Sequence, residues 1–497
     1  MKVLFSILLF FICQLGAAQM LTPAQMEKDL SILNAAWENM HPGLYRYNTP
    51  KTIQQYFTAI RKRCQQPLHE RTFFILLSQL NIKLKCGHSF VSFYNQKQVV
   101  EDRLFSSSFF PLIFRVLDRE FVITHNLSND LSIQPGDKIR AINGISVSTI
   151  IDSLLTVSKA DGEHGLNKQL DNISIYPPDI SPKKYTLFDI FFPLFFKPNL
   201  NDSIFNVSIE TNNRQNLSVR LLALSKQNRE QVYKHRYGSL PTQEESWNIR
   251  ELDTKTVLFK LGDFSVYNWK FDFKKYLDSV FASFKTKGYS NLILDIRQNE
   301  GGADEARDEV LSYLISKPIP CYNQIRRLYK YIRIPDSLQS YLRTWDKSFR
   351  EPKDPALFRY TKDGLYEEKE SLESCDTLFP QPHRFTGKVY LITDVTNSSA
   401  TFLMADIVKK FKLAKVVGEM TGGSQQGING GQFFFLYLPN SNIEMDLPLV
   451  FQTSVKKSQD RGIRPDYEVK TKYSDIATGN DPQVKFILEK LIPSSKN

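Results

Sequence analysis

A chain of 497 residues with 41% hydrophobic and 24% charged side chains is long enough for two or three domains and has the balance of a globular protein. That balance excludes an intrinsically disordered chain and a polytopic membrane protein. The formal net charge of +11 is spread along the chain rather than gathered into one arm, which argues against a nucleic-acid partner.

Lys2 precedes an apolar run from Val3 to Cys13, followed by the small residues Gly16, Ala17 and Ala18. A basic start, a short apolar stretch and small residues describe a signal peptide over 1–19, cleaved near Ala18 to Met20. A spanning helix needs about 20 apolar residues, so the expectation is a secreted or periplasmic protein with no stable membrane insertion. Phe11-Ile12 lacks the small residue that precedes a lipidated Cys13. Removing the signal leaves Cys64, Cys86, Cys321 and Cys375, none at metal-ligand spacing, so neither metal nor cofactor is expected. Cys64–Cys86 is the sequence-local disulfide pairing, with free buried thiols as the alternative.

Residues 20–98 read as an N-terminal helical region. Met26, Leu30, Leu33, Ala36 and Trp37 recur at helical steps, His41-Pro42-Gly43 breaks the pattern, and Phe73 to Leu77 belong to a later helix. Alternation from Lys85 to Phe93 predicts a strand with His88 at its start. A lone histidine is most often a hydrogen-bonding residue, and only a partner elsewhere makes it a base.

Residues 99–225 read as short strands. Pro135-Gly136-Asp137 is a turn, Lys138 to Ile142 alternate as a strand, and Asn143-Gly144 closes a hairpin-type turn. Ile150 to Asn199 is a helical insertion whose aromatic run, Phe188 to Phe196, is too short to span a bilayer. It is either core or an apolar substrate surface.

Residues 245–497 form the third domain. Val257 to Leu261 and Leu292 to Ile296 predict buried strands, and Tyr276, Leu277, Val280, Phe281 and Phe284 mark a helix between them. The turn Arg297-Gln298-Asn299-Glu300-Gly301-Gly302 fits neither nucleotide-binding glycine pattern, but its paired glycines bare backbone N–H groups above a strand end. Residues 317–385 read as an insertion serving as a lid. Its basic stretch Arg326 to Arg333 reads as a solvated helix face or as a patch for nucleic acid or an acidic surface. Val389 to Thr393 then predicts a buried strand, Asp394 to Asn397 a tight turn, and Phe402, Leu403, Ile407, Val408 and Phe411 one face of a helix. Ser399 falls at or next to the helix N-cap. There it either caps an orphan N–H or is a nucleophile held beside free N–H groups.

Three motifs recur in one order: Gly87-His88-Ser89, Asp295 to Gly302, and Ser398-Ser399-Ala400 with Gly418-Glu419-Met420-Thr421-Gly422-Gly423. With the Pro-Gly-Asp…Ile-Asn-Gly run between the first two, which is similar to a PDZ core, the chain resembles the C-terminal-processing (tail-specific) serine proteases. The closer likeness is to their tricorn-like and interphotoreceptor-retinoid-binding-protein-like branch. The resemblance implies an α/β catalytic domain of ClpP/crotonase-like type, an N-terminal helical region carrying the base, and an inserted PDZ-like β module. The Gly-rich carboxylate loop of PDZ domains is replaced by Ser106-Ser107-Ser108-Phe109-Phe110.

The processing-protease branch places a base lysine just after the Gly-Glu-x-Thr-x-Gly run. Here Ser424 stands there, and no lysine occurs between Lys415 and Lys456. The other branch uses a histidine that His88 matches. The resemblance therefore implies Ser399 as nucleophile, because it precedes the small Ala400, and His88 as general base. It implies an oxyanion hole from the N–H of Ala400 with that of Gly301 or Gly302. The orienting acid precedes Gly462-Ile463-Arg464-Pro465-Asp466. Gln459 holds its place with Asp460 beside it, and either residue could orient the imidazole. Gly418 and Thr421 are expected to shape the turn under the site. The implied protein is a secreted serine peptidase acting on extracytoplasmic peptides or unfolded proteins through an acyl-enzyme. A silent relative that binds hydrophobic ligands or peptides, and a PDZ-like adaptor, are the alternatives.

Overall fold

Thr22 accepts the Gln25 N–H at 3.3 Å and Gln25 Oε1 accepts the Thr22 N–H at 2.8 Å, a reciprocal cap that starts α1 (Pro23–Met40). The computed structural model describes residues 19–182, 184–197, 202–373, 376–455 and 458–492, so most of the signal-peptide expectation lies outside the described residues. With α2 (Pro50–Arg63) and α3 (Glu70–Asn81), α1 buries Leu30, Trp37, Phe57, Phe73 and Phe74 in one cluster. The predicted strand from Lys85 to Phe93 is absent. The Asn81 amide donates to Ser89 O, Gly87 N–H donates to Asp161, and Phe90 O accepts from the Asp446 N–H at 2.9 Å. Backbone groups spent on distant partners leave none for a ladder.

A six-stranded sheet follows, with β1 (Leu112–Leu117), β2 (Glu120–Asn126), β3 (Lys138–Ile142), β4 (Ile204–Glu210) and β5 (Asn216–Leu222) in that spatial order and the short strand Ile145–Ser146 paired to β3 off that path. Every pairing is antiparallel. The Asp137 carboxylate stiffens its turn by accepting from Gln134 N and Asn212 N, both at 2.8 Å. Asn143 and Gly144, at φ 52° and 78°, turn β3 back onto Ile145–Ser146. Between β3 and β4 lie α4 (Val147–Leu155) and α5 (Leu187–Phe196). Phe188 and Phe192 of α5 are wholly buried among Phe110, Phe114 and Phe205, so the aromatic run is core rather than an exposed surface. The buried Asp189–Arg229 pair, 3.0 Å apart, anchors the helix beneath them.

The next sheet begins with β6 (Trp247–Glu251) and β7 (Thr256–Leu261), and α6 (Phe273–Lys287) leads to β8 (Asn291–Asp295), followed by α7 (Asp304–Ser312). Residues 317–385 contribute β9 (Ile325–Tyr329), β10 (Leu342–Arg343), β11 (Phe358–Tyr360) and β12 (Tyr366–Glu368). Then come β13 (Lys388–Thr393), α8 (Ser399–Phe411), β14 (Lys415–Gly418), β15 (Ile428–Tyr437), β16 (Glu444–Ser454) and β17 (Tyr467–Glu468). The order β17-β14-β13-β8-β7-β6 makes one six-stranded sheet, parallel except for β6. Parallel neighbours need crossover helices, and α6 and α8 supply them, packing Leu277, Phe281, Phe402 and Ile407 onto the sheet. Asp295 is in register with Ile392, so the turns leaving β8 and β13 emerge side by side at the carboxyl end of the sheet.

The lid expectation for 317–385 is corrected. Its strands join the second six-stranded sheet of this half, in the order β10-β15-β16-β9-β12-β11. The basic stretch is strand rather than helix where it forms β9, and Arg326 with Arg359 neutralises the buried Glu367. Cys64 and Cys86 are free buried thiols, which removes their proposed pairing, whereas Cys321 is disulfide-bonded. Among the described residues no helix is long and apolar enough to cross a membrane, and no cluster of His, Cys, Asp and Glu could hold a metal.

Candidate active site

The turn after β13 is bolted to the turn after β8. Asp394 accepts the Thr396 and Gln298 N–H groups at 3.0 Å each, and the Asn397 amide donates to Ile296 O at 2.6 Å and Asn299 O at 3.1 Å. Thr401 closes the clamp by donating to Asn299 O at 2.9 Å. On this support Ser398 is the N-cap of α8, but its hydroxyl donates to Glu300 O at 3.0 Å instead of capping. Ser399 is the first helical residue and sits at φ 51°, a left-handed conformation that costs a non-glycine residue about 1–3 kcal/mol. Its hydroxyl makes no hydrogen bond among the described residues, so the capping reading fails for both serines.

Gly301 and Gly302 take φ of 113° and 138°, closed to most side chains. A Cβ on Gly301 would stand 2.8 Å from Ser399 Cβ and 3.0 Å from Ala400 N, so the glycine is what lets the two turns meet. The Gly301 N–H donates to Asn299 Oδ1 at 2.9 Å, so it is not a free donor for the expected oxyanion hole. The N–H groups of Gly302 and Ala400 have no acceptor among the described residues, the latter as an orphan donor of a helix first turn. Gly418 and Thr421 are structural. A Cβ on Gly418 would meet Thr393 O at 2.2 Å, and Thr421 Oγ1 accepts the Ile463 N–H at 2.8 Å.

His88, Ser399, Gly301 and Gly302 line one cavity of about 1790 Å³ between the front helices, the antiparallel module and the parallel sheet. The imidazole is half-buried beside Phe433, with ring centroids 6.2 Å apart. Its Nδ1 is sealed from solvent without a partner among the described residues, leaving Nε2 as the nitrogen open to the cavity. Burial holds the imidazole pKa below its ordinary value; Asp161 and Glu300 oppose that shift and Lys159 adds to it. The ring is therefore neutral at neutral pH, as a general base must be. No hydrogen bond joins it to the Ser399 hydroxyl, a separation common before substrate draws such groups together.

Neither candidate for the orienting acid reaches the imidazole. Gln459 is exposed. Asp460 spends its carboxylate elsewhere, accepting from Tyr47 Oη at 2.8 Å, Ser424 Oγ at 2.6 Å and the Glu163 N–H at 2.8 Å. Burial pushes this carboxyl up, but the bonds from Ser424, Glu163 and Tyr47 prevail and hold it below its usual value. Asp460 thus ties the front helical region, the module's insertion and the parallel-sheet domain together. The carboxylate whose charge acts most strongly on the histidine is Asp161, from the insertion after α4. This buried carboxylate accepts the Gly87 N–H at 2.8 Å. Sequence reasoning missed it because nothing local distinguishes Ala160-Asp161-Gly162 from an ordinary acidic turn. Glu300 reaches Lys168 at 2.6 Å within the same cavity, and Lys168 first of all holds its carboxyl well below the usual range.

A serine at the carboxyl end of a parallel sheet, on a strand–turn–helix that shares its cavity with a histidine brought from another region, marks a serine-type peptidase with a ClpP-like catalytic domain. Residues 259–469 match the model of Peptidase family S41, so this part of the chain carries an S41-type peptidase domain. In fold it is similar to solved structures of CPAF: a mutant at TM-score 0.65, the complex with lactacystin at 0.63 and the mature form at 0.62. Each is 12% identical and covers 94% of this chain, which in turn covers 96%, 97% and 96% of theirs. No curated protein matches the chain in sequence.

Proposed function

We propose that the protein is a secreted peptidase that hydrolyses peptide bonds of extracytoplasmic peptides or unfolded proteins through an acyl-enzyme on Ser399. The observation that carries this reading is the strained, unspent Ser399 hydroxyl opening into the cavity that His88 also lines. Ser399 Oγ attacks the scissile carbonyl carbon while His88 Nε2 takes its proton. The N–H groups of Gly302 and Ala400 hold the charge that develops on the carbonyl oxygen. Breaking the C–N bond passes the proton from the imidazolium to the departing amine. Water then attacks the ester with His88 again as base, which frees the acid and restores Ser399. Asp161 is a positioning residue: its hydrogen bond fixes the Gly87 peptide, and its charge favours the imidazolium that forms.

Export is supported by Lys2 with the apolar run after it, and by the disulfide at Cys321, since such bonds persist in oxidising compartments. The antiparallel module would present substrate as an added strand. Labelling with a fluorophosphonate probe tests the reading. Labelling lost in Ser399→Ala and sharply reduced in His88→Ala supports it, whereas labelling retained in Ser399→Ala and lost in Ser398→Ala moves the nucleophile by one residue. Export is checked by N-terminal sequencing of protein recovered outside the cytoplasm.

A further inference from the structure

We infer that the cleft carries a side-chain subsite walled by Phe433 and Trp345 that takes an apolar, preferentially aromatic, side chain of the substrate near the scissile bond. The inference rests on the peptidase reading and adds what the enzyme selects. Trp345 is 62% exposed, unusual for so large a ring, yet it is held in place. It lies 5.7 Å from Phe433, 5.6 Å from Phe435 and 5.8 Å from Phe349, centroid to centroid.

The sheet builds this wall. Phe433 and Phe435 share one face of β15 while Phe434, between them, is wholly buried on the other. β10 pairs antiparallel with β15, with Leu342 opposite Leu436 and Arg343 opposite Phe435. Continuing that register by two residues sets Trp345 opposite Phe433, a cross-strand aromatic pair. The register irregularity between Gly430 and Phe433, with Gly431 at φ 80°, resets the strand next to the imidazole and turns Phe433 towards it. His88, Phe433 and Trp345 all line the cavity that contains Ser399. An extended peptide advances about 3.3 Å per residue. Successive centroid spacings of 6.2 Å and 5.7 Å therefore put the whole wall within about four residues' length of the His88 imidazole.

Calorimetric titration of capped hexapeptides into the Ser399→Ala protein tests the subsite without requiring turnover. The peptides differ only in carrying Phe, Leu or Ala at each position in turn. At one position Phe binds about tenfold tighter than Ala, in the range that apolar pockets discriminate. Trp345→Ala in the same background abolishes that preference, Trp345→Phe keeps part of it, and Phe433→Leu weakens it if Trp345→Ala fails to fold. Equal affinity for Phe and Ala peptides at all positions, a preference that survives Trp345→Ala, or no binding by any peptide overturns the inference. Fluorophosphonate labelling of the wild type, run in parallel, reports separately on the peptidase reading. An unlabelled protein that still prefers Phe peptides loses the chemistry and keeps the subsite.

Discussion

Oδ1 of Asp161 accepts the Gly87 N–H at 2.8 Å, and a Cβ on Gly87 would stand 2.6 Å from the other oxygen. The glycine therefore does two things. It admits a buried carboxylate to the peptide that precedes His88, and it lets the insertion after α4 grip a loop of the front helical region.

Asp161→Asn keeps a carbonyl oxygen for that N–H and removes the charge. Because Asp161 raises the His88 pKa against the downward pull of burial, losing it lowers that pKa further. The acid limb of the kcat/KM profile then moves to lower pH, and kcat falls about tenfold as the imidazolium loses its counter-charge. A lower kcat with an unmoved acid limb would leave Asp161 only a structural role.

Gly301→Ala drives a methyl group to 2.8 Å from Ser399 Cβ at a φ of 113°. The clamp between the two turns opens, and fluorophosphonate labelling slows by about 10²–10³, the scale of losing one oxyanion donor. Labelling rates and thermal melts of the same sample show whether the site fails before the fold does.

Asp460→Ala strands the part-buried Tyr47 and Ser424 hydroxyls, at about 1–3 kcal/mol for each group left unsatisfied, while the exposed Glu163 N–H turns to water. Urea unfolding should show this loss while the pH profile of turnover keeps its shape. Since the Asp460 pKa is depressed, its contribution is present above the ordinary carboxylate range and is lost as pH falls through the folded value. Gln459→Glu, on an exposed side chain, should change turnover less than about twofold, the scale of a surface substitution. A larger gain would return Gln459 to the acid's place.

Glu444 is wholly buried on β16, both carboxylate oxygens lacking partners among the described residues, with Asp446 two residues on. Burial, then Asp446, pushes its pKa far above the ordinary carboxylate range. A raised carboxyl pKa means the folded chain prefers the proton. The stability this lends is whole below the ordinary carboxylate pKa and drains away as pH rises towards the raised folded value. Glu444→Gln should melt near the wild-type temperature at pH 5 and above it at pH 9, and matching curves at both would exclude the titration.

The strand, turn and helix around Ser399, the Pro-Gly-Asp and Asn-Gly turns, and the separated motifs containing His88 and Gly301-Gly302 were legible because each is local. Periodicity, a glycine's freedom of φ and a turn dipeptide act within a few residues. What stayed hidden depends on partners far along the chain. The His88 loop is not a strand because Asn81, Asp161 and Asp446 claim its backbone groups. Residues 317–385 are sheet because β9 finds β16 and β10 finds β15.

Sequence alone determined most of the locally specified helices, strands and turns, since those follow from short-range sterics and the burial of apolar faces, and the resemblance carried by its motifs named the side chains that could perform acyl transfer. Only the tertiary structure decided which hydrogen-bonding groups remain unspent. Asn299 consumes the Gly301 N–H, three partners consume Asp460, and the Ser399 hydroxyl and Gly302 N–H are left free among the described residues. A donor or acceptor serves once, and what claims it is set by proximity in space.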